Sequence, residues 1–92
     1  MEEWSQITYR DFFDVPRMVV AKRGGETFLF YSRFDEVADS HTEYYEVWAM
    51  PLLPEERLQG SWVGLEDLAL SRLPNIGIQD LPFCVPRRGQ HV

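Results

Sequence analysis

Residues 17–32, RMVVAKRGGETFLFYS, decide the fold of this chain. Two runs of mainly β-branched and aromatic residues flank Gly24 and Gly25, and a Gly-Gly pair readily adopts the positive φ angles of a two-residue hairpin turn. The pattern therefore predicts a β-hairpin in which Arg23 faces Glu26. The same register sets four further pairs opposite each other: Ala21 with Phe28, Val20 with Leu29, Val19 with Phe30, and Met18 with Tyr31.

Both faces of this hairpin are apolar. Side chains alternate along a strand, so Val19, Ala21, Phe28 and Phe30 share one face. The other face carries Met18, Val20, Leu29 and Tyr31. Because an antiparallel sheet with one solvated face is apolar on the other face only, we expect both faces to be covered.

The short chain offers one clear helix, so we expect a second copy of the chain to cover the other face. The predicted homodimer interface consists of Met18, Val20, Leu29 and Tyr31, which would otherwise form a contiguous exposed patch. Two-fold symmetry needs only one self-complementary surface. Closure into a barrel, or cover from residues 4–13, is the alternative explanation.

The rest of the pattern predicts an α+β fold. Residues 6–12 and 43–50 have the composition of strands, and a last strand is expected to start near Ile76. Leucines and alanine at i, i+3, i+4 and i+8 predict a helix over residues 65–73 that ends at Pro74. We therefore expect a curved antiparallel sheet of four to five strands with one main helix on one face. A small SH3-like barrel is the alternative.

Composition and charge narrow the function classes. The 92 residues predict a single domain, with a flexible tail over residues 86–92. Of the net charge of −6, residues 34–67 carry −8, from nine acids and one base. Phosphate contacts need clustered Lys and Arg, so no nucleic-acid partner is expected. Without an N-terminal apolar region or a run that spans a bilayer, we expect a cytoplasmic protein and no membrane partner.

The residues of catalysis and metal binding form no recognisable motif. Cys84 is the only cysteine, which excludes an intramolecular disulfide and a cysteine-based metal cage. The acids around His41 (Asp35, Glu36, Asp39 and Glu43) lack the spacing of a calcium loop, so a solvated charged loop is the expected interpretation. We assign no catalytic residue, no metal site and no cofactor.

Aromatic residues are the strongest functional lead. Tyr31, Tyr44, Trp48 and Trp62 could line a pocket or groove, with Glu46 at its rim. Aromatic faces beside carboxylates suit cationic or amphipathic ligands. Core and interface packing is the alternative role for these side chains.

The segment DFFDVPR at residues 11–17, followed by the Gly-Gly hairpin and by FDE at residues 34–36, resembles a set of small uncharacterised bacterial proteins. Some of those proteins occur in mobile gene cassettes. The resemblance covers the first half of the chain and implies a small bacterial accessory protein. It assigns no activity and no functional residue.

These observations favour a non-enzymatic module that binds a small ligand or a protein through an aromatic sheet surface. An acidic decoy or inhibitor that docks on a basic partner surface is the alternative, supported by the negative stretch at residues 34–67. A small enzyme with an acidic site in the loop after Arg33 is a third hypothesis.

Overall fold

A computed structural model of the protein describes residues 3–13 and 15–83, and these form a mainly β structure. Five of its strands form one antiparallel sheet: β1 (Trp4–Phe13), β2 (Val15–Arg23), β3 (Glu26–Tyr31), β6 (Tyr44–Met50) and β7 (Ser71–Gly77). They lie across the sheet in the order β1-β2-β3-β6-β7. Between β3 and β6, the short strands β4 (Phe34–Asp35) and β5 (Ser40–His41) form a separate sheet. Within the described residues β1 and β7 do not pair, so the sheet is open there rather than closed into a barrel.

The predicted hairpin is confirmed in every pair. β2 and β3 pair from Met18 with Tyr31 to Arg23 with Glu26. Gly24 and Gly25 have φ angles of 58° and 81°, the left-handed conformation that glycine adopts without a steric penalty. The turn therefore sets the register, and the register sets both faces of the sheet.

The predicted main helix over residues 65–73 is wrong. Among the described residues the helices are α1 (Glu55–Gln59) and two 3₁₀ helices, Leu65–Leu68 and Ile78–Asp80. The Leu70 N–H donates to the Ala49 carbonyl at 2.7 Å, and the chain then pairs with β6 as strand β7. Pro74 is tolerated because β7 is an edge strand, where a missing N–H need not break a ladder bond. In the part of the chain that the structure describes, none of the helices has the length and apolarity that a membrane crossing requires.

The chain itself covers the face that was expected to form a dimer interface. Residues 51–70, which we call the covering segment, connect β6 to β7 across this face. Met18, Val20 and Leu29 are at most 4% exposed and pack in one cluster with Leu53, Trp62 and Leu65 of the covering segment. Tyr31 packs against the same cluster and is partly buried. These residues are thus not available for the interface predicted for them, and the homodimer stays a prediction without an assigned surface.

The second face is covered by the curvature of the sheet and by the chain after β7. Phe28, Phe30 and Tyr45 form the centre of this second cluster. The Trp4 ring lies 5.4 Å from that of Phe28 and 5.3 Å from that of Phe83, measured between centroids, so β1 and the segment after β7 close over this face. The Tyr45 hydroxyl donates to the Pro16 carbonyl at 2.6 Å, which satisfies its polar atom inside the core. Cys84 and the predicted flexible tail at residues 86–92 lie outside the described residues.

Candidate functional site

Four side chains on the face beneath the covering segment lie in one row across the sheet. Arg10 of β1 is the Cα partner of Met18, Met18 of Tyr31, and Tyr31 of Glu46 of β6. Because directly paired residues point to the same face, the row brings a guanidinium, a thioether, a phenol ring and a carboxylate together. Met18 belongs to the apolar cluster on this face, and Tyr31 packs against it.

A cavity of about 350 Å³ lies between this row and the covering segment. Arg10, Met18 and Tyr31 line it from the sheet, and residues 60–64 with Glu66 line it from the covering segment. This volume is at the small end of the range for small-molecule sites. The cavity combines apolar and aromatic walls with one cation and one anion, which is the composition that such sites need for orientation and specificity.

The covering segment is held over the row by a shared carbonyl. The Trp62 indole N–H donates to the Leu58 carbonyl at 2.8 Å, and Arg10 NH2 donates to the same oxygen at 2.5 Å. The Arg10 guanidinium also lies 4.8 Å from the centroid of the Trp62 ring. Gly64, with a φ of 75°, makes the turn that follows Trp62 and leads into the 3₁₀ helix that carries Glu66. These contacts fix the cavity wall relative to the sheet.

Charged side chains of alternating sign continue from this row beside the cavity. Arg33 Nε donates to Glu46 Oε2 at 2.8 Å, and Arg33 NH2 lies 3.6 Å from Glu66 Oε2. The guanidinium lies 4.5 Å from the centroid of the Tyr31 ring. Burial lowers the pKa of Arg33, but the hydrogen bond to Glu46 and the charges of Glu46 and Glu66 outweigh it, so the pKa is raised. Arg33 therefore stays charged and holds β3, β6 and the covering segment together.

Two buried side-chain polar atoms have no hydrogen-bond partner within the described part of the chain. They are Glu66 Oε1 and Trp48 Nε1. The Trp48 ring lies under the Arg72 guanidinium, 4.7 Å from its centroid, outside the cavity lining. Glu66, in contrast, lines the cavity. A buried acceptor without a donor costs about 1–3 kcal/mol, so a donor that reached Glu66 Oε1 would stabilise the folded protein.

The structure brings together part of the predicted aromatic site. Tyr31 and Trp62 line the cavity. Glu46 is outside the lining and accepts from Arg33, which contacts the lining residues Tyr31 and Glu66. Trp48 lies farther along the same face, and Tyr44 is 40% exposed and outside the lining. Sequence reasoning missed Arg10, Arg33 and Glu66 as site residues. The pairing of β1 with β2 would have revealed Arg10, whereas the place of Glu66 depends on the path of an irregular segment.

A larger cleft, of about 670 Å³, lies between the β4–β5 hairpin and the end of β7. It is lined by the acids Asp39, Glu43 and Asp80 and by Arg17, which donates to the Ser32 hydroxyl at 3.1 Å and the Thr42 carbonyl at 3.3 Å. Within residues 3–13 and 15–83, no group of three or more His, Cys, Asp or Glu side chains is arranged to hold a metal ion. The lining of this cleft is therefore charged and mainly acidic.

Comparison of the chain with family models, curated proteins and solved structures finds no match.

Proposed function

We propose that the protein is a binding module whose cavity, between the row and the covering segment, takes a small polar ligand. The observation that carries this proposal is Glu66, which lines the cavity and whose buried Oε1 atom has no donor in the described chain. Tyr31 and Trp62 supply aromatic surface beside it. A small ligand with an N–H or O–H group would bury its apolar part against these rings and satisfy the carboxylate.

The chemistry of the lining supports a role in binding rather than catalysis. Its ionisable side chains are Arg10, Tyr31 and Glu66. Arg10 is held by two backbone carbonyls, and Tyr31 lies under Arg33. General acid–base catalysis needs a group poised to exchange a proton, and nucleophilic catalysis needs a nucleophile beside a base. The three side chains of this lining fit recognition better than either.

A thermal-shift screen of small polar compounds, followed by titration of the hits, tests the proposal. A ligand at ten times its Kd stabilises the folded state by about 1.4 kcal/mol. For a domain of this size, that shift raises the Tm by about 6–11 °C. Tyr31→Ala, which removes a cavity wall, should abolish the shift.

Tyr44→Ala is the matched control, because it makes the same truncation on the same strand face outside the cavity. It should leave the shift unchanged. Equal loss of binding in both variants, or hits that bind both as tightly as the unchanged protein, would show that the ligand lies elsewhere. Turnover of a bound compound, lost in Glu66→Gln, would replace binding with catalysis.

The acidic decoy remains the second candidate, and one observation favours it. Of the nine acids in residues 34–67, seven are exposed, and only Glu46 and Glu66 are partly buried beside Arg33. Exposed charges of one sign steer association with a basic partner. Capture of partners at about 0.05 M and 0.5 M salt separates the candidates, because screening at the higher concentration removes a complex held by charge.

A further inference from the structure

Opposite charges line the cavity, and each has bonding capacity beyond its contacts within the chain. Arg10 donates hydrogen bonds from Nη1 to the Tyr9 carbonyl at 2.9 Å and from Nη2 to the Leu58 carbonyl at 2.5 Å. These bonds use two of the five N–H groups of a guanidinium. The cationic side of the cavity can thus donate to a further acceptor.

Glu66 provides the anionic side. Its Oε2 atom lies 3.6 Å from Arg33 NH2, which is beyond a normal hydrogen bond, whereas Arg33 makes its short bond to Glu46. Its Oε1 atom is buried without a donor from the described chain. Glu66 is therefore a carboxylate whose charge is only partly compensated by its neighbours.

The arginines already occupy the positions that a purely cationic ligand would use. Arg10 lies over the Trp62 ring and Arg33 over the Tyr31 ring, 4.8 and 4.5 Å from the centroids. A ligand with a positive charge alone would approach two guanidinium groups, and a ligand with a negative charge alone would approach Glu66. A ligand that carries both charges matches both sides of the cavity.

Building on the proposed function, we infer that the ligand is a small zwitterion, a free α-amino acid with an apolar side chain. Its ammonium group donates to Glu66 Oε1, and its carboxylate accepts from Arg10. Its side chain contacts Met18 and the Tyr31 ring. The inference narrows the small cationic or amphipathic ligand expected from the aromatic residues to one with both charges.

Calorimetric titration of the full chain tests this inference with two sets of three compounds. The zwitterions are L-leucine and L-phenylalanine. Each is compared with its decarboxylated amine (isoamylamine or phenethylamine) and with its deaminated acid (4-methylpentanoate or 3-phenylpropanoate). We expect at least one zwitterion to bind at least tenfold more tightly than both of its analogues.

Two variants test which side of the cavity binds each charge of the ligand. Glu66→Gln should weaken zwitterion binding at least tenfold and favour the acid over the amine, while Arg10→Met should favour the amine over the acid. Asp67→Asn, an exposed neighbour of Glu66, is the control for the lost carboxylate charge. Arg23→Met is the control for Arg10, because Arg23 also lies over an indole ring, that of Trp4, at 4.9 Å, but does not line the cavity. Both controls should bind the zwitterion as the unchanged protein does.

The outcomes separate this inference from the proposed function. If an amine or an acid alone binds as tightly as its zwitterion, or if Glu66→Gln leaves zwitterion binding intact, the zwitterion is wrong. If none of the six compounds binds at 10 mM while other hits are lost in Tyr31→Ala, the zwitterion is wrong and the cavity remains the site. If no compound of any class is lost in Tyr31→Ala, both the zwitterion and the cavity as a binding site are wrong.

Discussion

Replacing Trp62 with alanine should release the covering segment from the sheet. The Trp62 side chain is 4% exposed and packs in the cluster with Met18, Val20 and Leu29. It also donates to the Leu58 carbonyl and lies under Arg10. Truncation of a buried tryptophan to alanine costs about 3–5 kcal/mol. A domain of 92 residues has a free energy of unfolding of about 5–14 kcal/mol, so this single change removes a large share of the stability.

Urea unfolding followed by circular dichroism measures this loss. With an m value of about 1–1.5 kcal/mol per M, a loss of 3 kcal/mol lowers the midpoint by about 2 M or more. In a thermal scan the same loss lowers the Tm by about 12 °C or more. Binding of a hydrophobic dye should rise, because the face carrying Leu29 loses its cover.

Val63→Ala is the matched control, since Val63 is the next residue along and is 88% exposed. It should change the free energy of unfolding by less than about 0.5 kcal/mol. If Trp62→Ala unfolds at the same urea concentration as Val63→Ala, the covering segment is not packed on the sheet. The cavity between the row and the covering segment then does not exist.

Three further variants test the core, the turn and the rim. Leu29→Glu buries a carboxylate at a fully buried position, so it should unfold the chain rather than dissociate a dimer; a folded, monomeric variant by circular dichroism and light scattering would contradict the packing. Gly25→Ala should lower the free energy of unfolding in urea by about 1 kcal/mol, because φ is 81° at this position. Gly60→Ala, at a φ of −86°, should lower it by less than about 0.5 kcal/mol. Equal losses in the two variants would refute the turn assignment. A double-mutant cycle of Arg33→Met and Glu46→Gln should give a coupling of about 1 kcal/mol at low salt that falls in about 0.5 M salt; a coupling of zero at low salt would mean that the rim pair does not form.

The hairpin could be predicted from the sequence because its determinants are local. Gly24 and Gly25 set the turn, and alternation then assigns every side chain of β2 and β3 to a face. The conclusion that both faces need cover was confirmed as well. The source of the cover was not local, since it depends on how residues 51–70 fold back over the sheet.

The strand β7 shows why helical spacing misled the prediction. Leu65, Leu68, Ala69 and Leu73 recur at helical intervals, but only Leu65–Leu68 form a short 3₁₀ helix. Strand β6 has an open edge that residues 71–77 fill by pairing. Long-range hydrogen bonding to β6 therefore overrides the local periodicity, and the edge position removes the objection to Pro74.

Sequence reasoning predicted only part of the cavity lining. Tyr31 and Trp62 were candidates because large aromatic rings beside acids attract attention on their own. Arg10 and Glu66 belong to segments 56 residues apart in the chain, and each has an ordinary local interpretation, as a strand residue and as an acid in a helical first turn. Their convergence follows only from the register of β1 and the path of the covering segment.

The most direct test of the account is a map of where a zwitterion binds. Nitrogen-15 correlation spectra of the full chain are recorded during titration with L-leucine and L-phenylalanine. The account predicts that the largest amide shift changes lie at residues 60–66 and around Arg10 and Tyr31. Changes centred on residues 39–43 and 77–80, at the larger cleft, or no changes up to 10 mM of either amino acid, would contradict it.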